Sequence, residues 1–195
     1  MNKDKLIIIG NGGHAKSCIE VIESLNKYEI VGLVSDKKDL EIKIGKYSTI
    51  GTSENISKFK EITNKVVFGI ASQNSLNLRQ NTYNLFKSNG FIFEKIISSS
   101  SIVSDTAKIG EGVIIMQGCI INRDVEIGLM SSINSNTLIE HDSKIGRFCN
   151  ISTSVTINGN VLVEDDSFIG SGCVIRNNLK IKKNSFLKMG TTVLK

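Results

Sequence analysis

Two short stretches of this 195-residue chain carry residue types that could do chemistry. The first is Glu140-His141-Asp142, one of only two histidines in the sequence set between two acids. A neutral imidazole near pH 7 is suited to taking a proton from an attacking amine or hydroxyl, and a neighbouring carboxylate fixes its tautomer and stabilises the imidazolium. Spacing by itself leaves open a solvated surface histidine between two acids. The second stretch is Leu6-Ile7-Ile8-Ile9-Gly10-Asn11-Gly12-Gly13-His14, an apolar run that ends in glycines where a helix should begin. Glycines let backbone approach an anion, and a helix N-terminus offers free amides to phosphate oxygens. Gly10-x-Gly12-x-x-Ala15 meets the looser dinucleotide fingerprint, and Asp36, after the second apolar run, sits where a ribose-binding acid would. A nicotinamide oxidoreductase is nevertheless a poor fit, since such enzymes carry a longer nucleotide domain and a catalytic domain of another kind.

The elements that must hold these residues differ in the two halves. Leu6 to Ile9, Ile30 to Val34, Val66 to Ala71 and Phe91 to Ile97 read as strands. Ala15 to Leu25 and Leu76 to Lys87 read as helices, with a short helix near Asn55 to Glu61 in a stretch of weak pattern. Strands alternating with helices imply a small parallel sheet with helical crossovers, that is, a Rossmann-like domain over residues 1–97. From residue 98 to 195 the period changes. Stepping by six from Val103 through Ile109, Ile115, Ile121, Ile127, Ile133, Ile139, Ile145 and onward to Val193, every position is a branched aliphatic. The position four residues further on is mostly small, and it receives Cys119, Cys149 and Cys173. One large and one small inward residue per hexad, three hexads to a coil, is the pattern of a parallel β-helix of about five coils. The fold class is thus α/β plus β.

Composition removes other classes. No apolar run approaches the roughly 18–20 residues of a membrane span, and the first apolar stretch is too short for a signal peptide, so the cytoplasm is the expected location. Four cysteines without a Cys-x-x-Cys pair read as reduced thiols. Two histidines do not supply the three-histidine metal site of a β-helical carbonic anhydrase, and no metal is expected. A net charge of +5 without aromatics interleaved among basic residues offers no base-stacking platform, so no nucleic-acid partner is expected. Proline is absent, which excludes polyproline linkers and suits a backbone whose amides are nearly all needed in an inter-coil ladder. Residues 176–195 hold Arg176, Lys180, Lys182, Lys183, Lys188 and Lys195 and no acid, a surface suited to coenzyme A phosphates or simply a solvated lysine face.

The hexads resemble the left-handed β-helix of the hexapeptide acyltransferase superfamily; the hand is implied by that resemblance. Joined to the Gly-x-Gly-Gly-His loop and the Ile-Glu-His-Asp hexad, the chain is similar to the PglD/NeuD-type sugar acetyltransferases. The resemblance rests on residues 7–22, 93–113 and 133–161. It implies an acetyl-CoA-dependent N-acetyltransferase acting on the 4-amino group of a UDP- or GDP-linked 4-amino-4,6-dideoxy sugar, for surface glycans or nonulosonic acids, with sialic acid O-acetylation or a non-catalytic scaffold as alternatives. His141 is then the general base by direct attack, Asp142 its orienting carboxylate, and Gly159, one coil above, an amide donor to the acetyl carbonyl. Asn134 matches a residue near the acceptor. Gly12, Gly13 and His14 hold phosphates, and Asp36 the nucleoside. Asn150 stands where relatives often have a second histidine on the coenzyme side. A homotrimer with active sites between subunits is implied as well.

Overall fold

The computed structural model describes residues 3–35, 41–70 and 76–195; the Asp36 assignment lies outside them. The chain divides into two compact units, Met1–Glu94 and Lys95–Lys195.

The N-terminal unit runs β1 (Asp4–Ile9), α1 (Gly13–Ser24), β2 (Tyr28–Val34), β3 (Lys43–Ile44), β4 (Tyr47–Gly51), α2 (Ile56–Ile62), β5 (Lys65–Phe68), α3 (Leu76–Ser88) and β6 (Ile92–Phe93). They form one sheet in the order β3-β4-β2-β1-β5-β6. All pairs are parallel except the β3–β4 hairpin. The central strands are buried on both faces, which is why β1 reads as an unbroken apolar run and not as an alternation. α1 covers the sheet with Ala15, Cys18, Ile19, Val21 and Ile22. Phe86 packs edge-on against Phe91 and Phe93, with ring centroids 5.1 and 6.5 Å away.

Two expectations change here. β4 was hidden in the stretch of weak pattern, because Tyr47–Gly51 is only partly buried and joins the sheet beside β2. The run from Phe91 to Ile97 is not one strand: Ile92–Phe93 completes the sheet, whereas Ile96–Ile97 pairs with Ile114–Ile115 in the second unit. Apolar residues on either side of Glu94-Lys95 make the stretch read as one run, although those two types are depleted in strands, and the pairing partners separate the two pieces.

The C-terminal unit is a left-handed parallel β-helix. Its first face stacks Ile96–Ile97, Ile114–Ile115, Ser132–Ile133, Asn150–Ile151, Phe168–Ile169 and Phe186–Leu187. The second face stacks Ile102–Val103, Ile120–Ile121, Leu138–Ile139, Thr156–Ile157, Val174–Ile175 and Thr192–Val193. The third stacks Lys108–Ile109, Glu126–Ile127, Lys144–Ile145, Leu162–Val163 and Lys180–Ile181. Each strand pairs with the one 18 residues on, so the hexad aliphatics form a continuous core with Cys119, Cys149 and Cys173 buried among them. Small polar residues at the other inward position are satisfied by the next coil: Ser131 Oγ donates to the Gly146 carbonyl at 2.7 Å and accepts from the Cys149 amide at 2.9 Å.

A second six-residue period sits at the edges of the prism. Every sixth residue from 112 to 190 has φ between +54° and +71°. Four of these positions are Gly, four Asn and three Asp, the types that tolerate the left-handed region, leaving Met130, Phe148 and Ser154 as the exceptions. Asp142 belongs to this column with φ 63°. Its place in the turn therefore has a backbone reason as well as a chemical one.

Candidate active site

His141 projects from the edge between the second and third faces, two residues beyond the inward Ile139. The ring is exposed, and its Nδ1–H donates to Asp142 Oδ2 at 2.8 Å. That hydrogen bond, ahead of the carboxylate charges of Asp142 and Glu140, raises the imidazole pKa above its ordinary value. It also commits Nδ1 as the protonated nitrogen in the neutral ring, leaving Nε2 with a lone pair for a substrate proton.

Gly159 lies one coil above, against Nε2. A Cβ added there would stand 2.8 Å from both Cε1 and Nε2 of His141, so any side chain at 159 would displace the imidazole. The Gly159 carbonyl accepts from the Asn178 amide at 3.0 Å, but its own N–H donates to nothing among the described residues. At the next edge the equivalent amides of Arg147 and Lys183 are taken by the Asp165 and Glu164 carboxylates. Base and amide donor thus share one small area. Ser143 pins the corner that contains Gly159: its Oγ donates to the Asn158 carbonyl at 2.9 Å and accepts from the Val161 amide at 3.1 Å.

Other expected site residues are distributed differently. Glu140 makes no hydrogen bond to His141; its Oε2 accepts from Asn122 Nδ2 at 2.8 Å. Asn134 and Asn150 are brought together, with Asn134 Nδ2 donating to Asn150 Oδ1 at 2.9 Å and to the Ile151 carbonyl at 2.8 Å. They belong to the first face and its edge with the second, so within one chain a whole face separates them from His141. Arg176 follows the second-face strand two coils above Leu138–Ile139, on the His141 edge, and its Nη1 donates to the Leu194 carbonyl at 3.2 Å. Lys180 is paired with Glu164 and Lys183 with Asp166, so the basic C-terminal coil is partly neutralised by acids of the preceding coil. Lys182 is exposed at the edge between the third and first faces.

In the N-terminal unit, a pocket of about 240 Å³ opens at the C-terminal ends of β1, β2 and β5. It lies beside the switch in strand order between β1 and β5, where open parallel sheets bind ligands. Gly10, Gly12, Gly13 and His14 line it. Gly10 has φ +115°, and a Cβ there would meet the Gly69 carbonyl oxygen at 2.8 Å; Gly69 in turn packs against Ala15. The loop is drawn tightly onto the sheet for that reason. α1 starts at Gly12 with no side-chain cap and no acid in its first turn, leaving its first amides to a ligand. His14 Nε2 and Asn11 Nδ2 are buried without a hydrogen-bond partner among the described residues. Burial, and then the Arg79 charge, push the His14 pKa down to about 4, so this histidine offers the pocket a neutral ring. A larger cavity of about 590 Å³ follows the third face past Gly110, Gly128 and Gly146 and contains neither histidine.

Among the described residues, no group of three or more His, Cys, Asp or Glu is placed to hold a metal ion, and no helix is long and apolar enough to cross a membrane.

A left-handed β-helix carrying His141, its carboxylate and the Gly159 amide on one edge, following in the sequence an α/β unit with a glycine loop, defines a hexapeptide-repeat acyltransferase. Residues 5–84 match the family model of the PglD N-terminal domain. The chain thus carries a stretch that matches a PglD N-terminal domain, followed by a β-helix similar to those of hexapeptide acetyltransferases. Among solved structures it is similar to PerB from Caulobacter crescentus in complex with CoA and GDP-perosamine, at 26% identity and a TM-score of 0.90, covering 98% of this chain and 89% of that one. A histidine-to-asparagine variant of the same perosamine N-acetyltransferase matches with a TM-score of 0.91 at 25% identity and the same coverage. WeeI from Acinetobacter baumannii shares the fold, with a TM-score of 0.84 at 20% identity over 99% of this chain and 92% of its own.

Proposed function

We propose that the protein transfers the acetyl group of acetyl-CoA to the 4-amino group of a UDP- or GDP-linked 4-amino-4,6-dideoxy sugar, in the biosynthesis of a bacterial surface glycan or nonulosonic acid. The observation that carries this reading is the His141 edge: Nδ1 bonded to Asp142, Nε2 open, and an unused backbone amide beside it. His141 Nε2 takes the proton of the amine as its nitrogen bonds to the thioester carbonyl carbon. The Gly159 N–H donates to the oxygen as charge gathers there. Collapse breaks the carbon–sulfur bond, and the proton on His141 passes to the departing thiolate, so that amine and thioester become amide and thiol. The pocket of the N-terminal unit takes the diphosphate on the α1 amides, with Gly12 and Gly13 allowing close approach and His14 donating as a neutral ring. Asp36 serves the nucleoside. Arg176 and Lys182 are the coenzyme-facing cations, and the Asn134–Asn150 pair is offered to the His141 edge of a neighbouring copy in a homotrimer of the cytoplasm. The likeness to the perosamine N-acetyltransferase of Caulobacter crescentus supports the amine as acceptor.

The test is a thiol-release assay with acetyl-CoA and a panel of UDP- and GDP-linked 4-amino sugars, set against free and CMP-linked sialic acid. Turnover of an amino sugar, lost in His141→Ala, is expected. Turnover confined to the sialic acids would reassign the protein as an O-acetyltransferase, and no turnover of any acceptor would leave a binding scaffold.

A further inference from the structure

We propose that Asn122 is a positioning residue for the transfer: from the coil below, it holds the Glu140 carboxylate off the His141 imidazole, so that Asp142 alone partners the ring. The inference rests on His141 as the base. Asn122 and Glu140 occupy the same place in successive coils, each following an inward isoleucine, and they meet through a 2.8 Å hydrogen bond from Nδ2 to Oε2. The amide must present its nitrogen, because a carboxylate would repel its oxygen.

Charge around the imidazole shows why this restraint matters. On its own edge His141 has Glu140 and Asp142. The coil below contributes Arg123 and Asp124, which pair with each other at 3.4 Å. The coil above contributes Asn158, Gly159 and Asn160, none of them charged. On the third face, Lys108 and Lys144 both pair with Glu126. Glu140 is thus the carboxylate beside His141 with no ion-pair partner among the described residues, on a stem long enough to reach the ring. A second carboxylate on the imidazole would favour its protonated form and occupy Nε2, the nitrogen the amine needs. A neutral amide restrains Glu140 without adding charge to the site.

With two histidines in the chain and His14 titrating far to the acid side, the imidazole C–H resonances of His141 are followed by NMR without interference. The variants are Asn122→Ala, Glu140→Gln and the pair. Asn122→Ser serves as a second replacement, since serine stands at the same place one coil below as Ser104. Releasing Glu140 is expected to raise the His141 midpoint by about half a unit, roughly threefold in the proton equilibrium. The acid limb of kcat/KM should move by the same amount with its plateau kept. In the Glu140→Gln background, replacing Asn122 should leave the midpoint where it was. No shift, or an equal shift in both backgrounds, would overturn the proposal. His141→Ala separates this from the wider reading: full activity in that variant removes His141 as base whatever its titration shows.

Discussion

At Gly159 the absence of a side chain is what seats the base. A Cβ there would stand 2.8 Å from Cε1 and Nε2 of His141, and the exposed imidazole at the end of its side chain, not the laddered backbone, is what would give way. Gly159→Ala is expected to lower kcat about 10²-fold by moving the imidazole while leaving the far-ultraviolet circular dichroism spectrum and the melting temperature nearly unchanged. Asp142→Asn is the complementary case. Asparagine tolerates the left-handed φ of 63°, so the turn survives, but the imidazolium loses its carboxylate. The acid limb of the pH–rate profile should then shift to lower pH while the plateau falls about 10–10²-fold, measured as kcat/KM between pH 5.5 and 9. Both His141 and the carboxylates flanking it were plain in the sequence. That one carboxylate grips the ring and the other is turned away to Asn122 was not, because the partner of Glu140 comes from 18 residues earlier.

Among the elements, the β1–α1 turn carries a burial cost that pH exposes. His14 titrates near 4 in the folded unit against about 6.5 for a free histidine. Its folded-state pKa being depressed, stability is at its full value above about 6.5 and is lost as pH falls toward 4, where the unfolded chain binds a proton that the folded one refuses. The loss is on the order of 2–3 kcal/mol. Urea unfolding at pH 7.5 and pH 5 should show it, and His14→Gln should flatten the difference between the two. The glycine loop was legible because each glycine answers a backbone demand stated locally: a positive φ at Gly10 and an uncapped helix start at Gly12. β4 was not legible, since a half-buried strand at the margin of a sheet has neither a continuous apolar run nor a clean alternation.

Over the whole molecule, the β-helix distributes its core along one axis, so a defect at its centre is felt by the coils on both sides. Ile145 is buried in the third-face stack between Ile127 and Val163. Ile145→Ala is expected to cost about 3 kcal/mol, read as a lower denaturation midpoint of the C-terminal unit. The sequence by itself determined this half almost completely, hexad, inward residues, coil length and all, because each rung repeats the same local constraint and pairing is set by an invariant offset of 18. It even wrote the prism edges in Gly, Asn and Asp, a second period that becomes meaningful only once the φ values are seen. The same 18-residue offset already stacks Gly159 over His141 and Asn122 under Glu140; what tertiary structure alone decided is which contacts the stacked groups make. It set Gly159 against the His141 ring, Ser143 beneath the Gly159 corner and the Asn122 amide on the Glu140 carboxylate, and it placed Asn134 with Asn150 a face away. Those relations depend on where three faces close into a triangle, a global geometric condition that no local stretch of residues encodes.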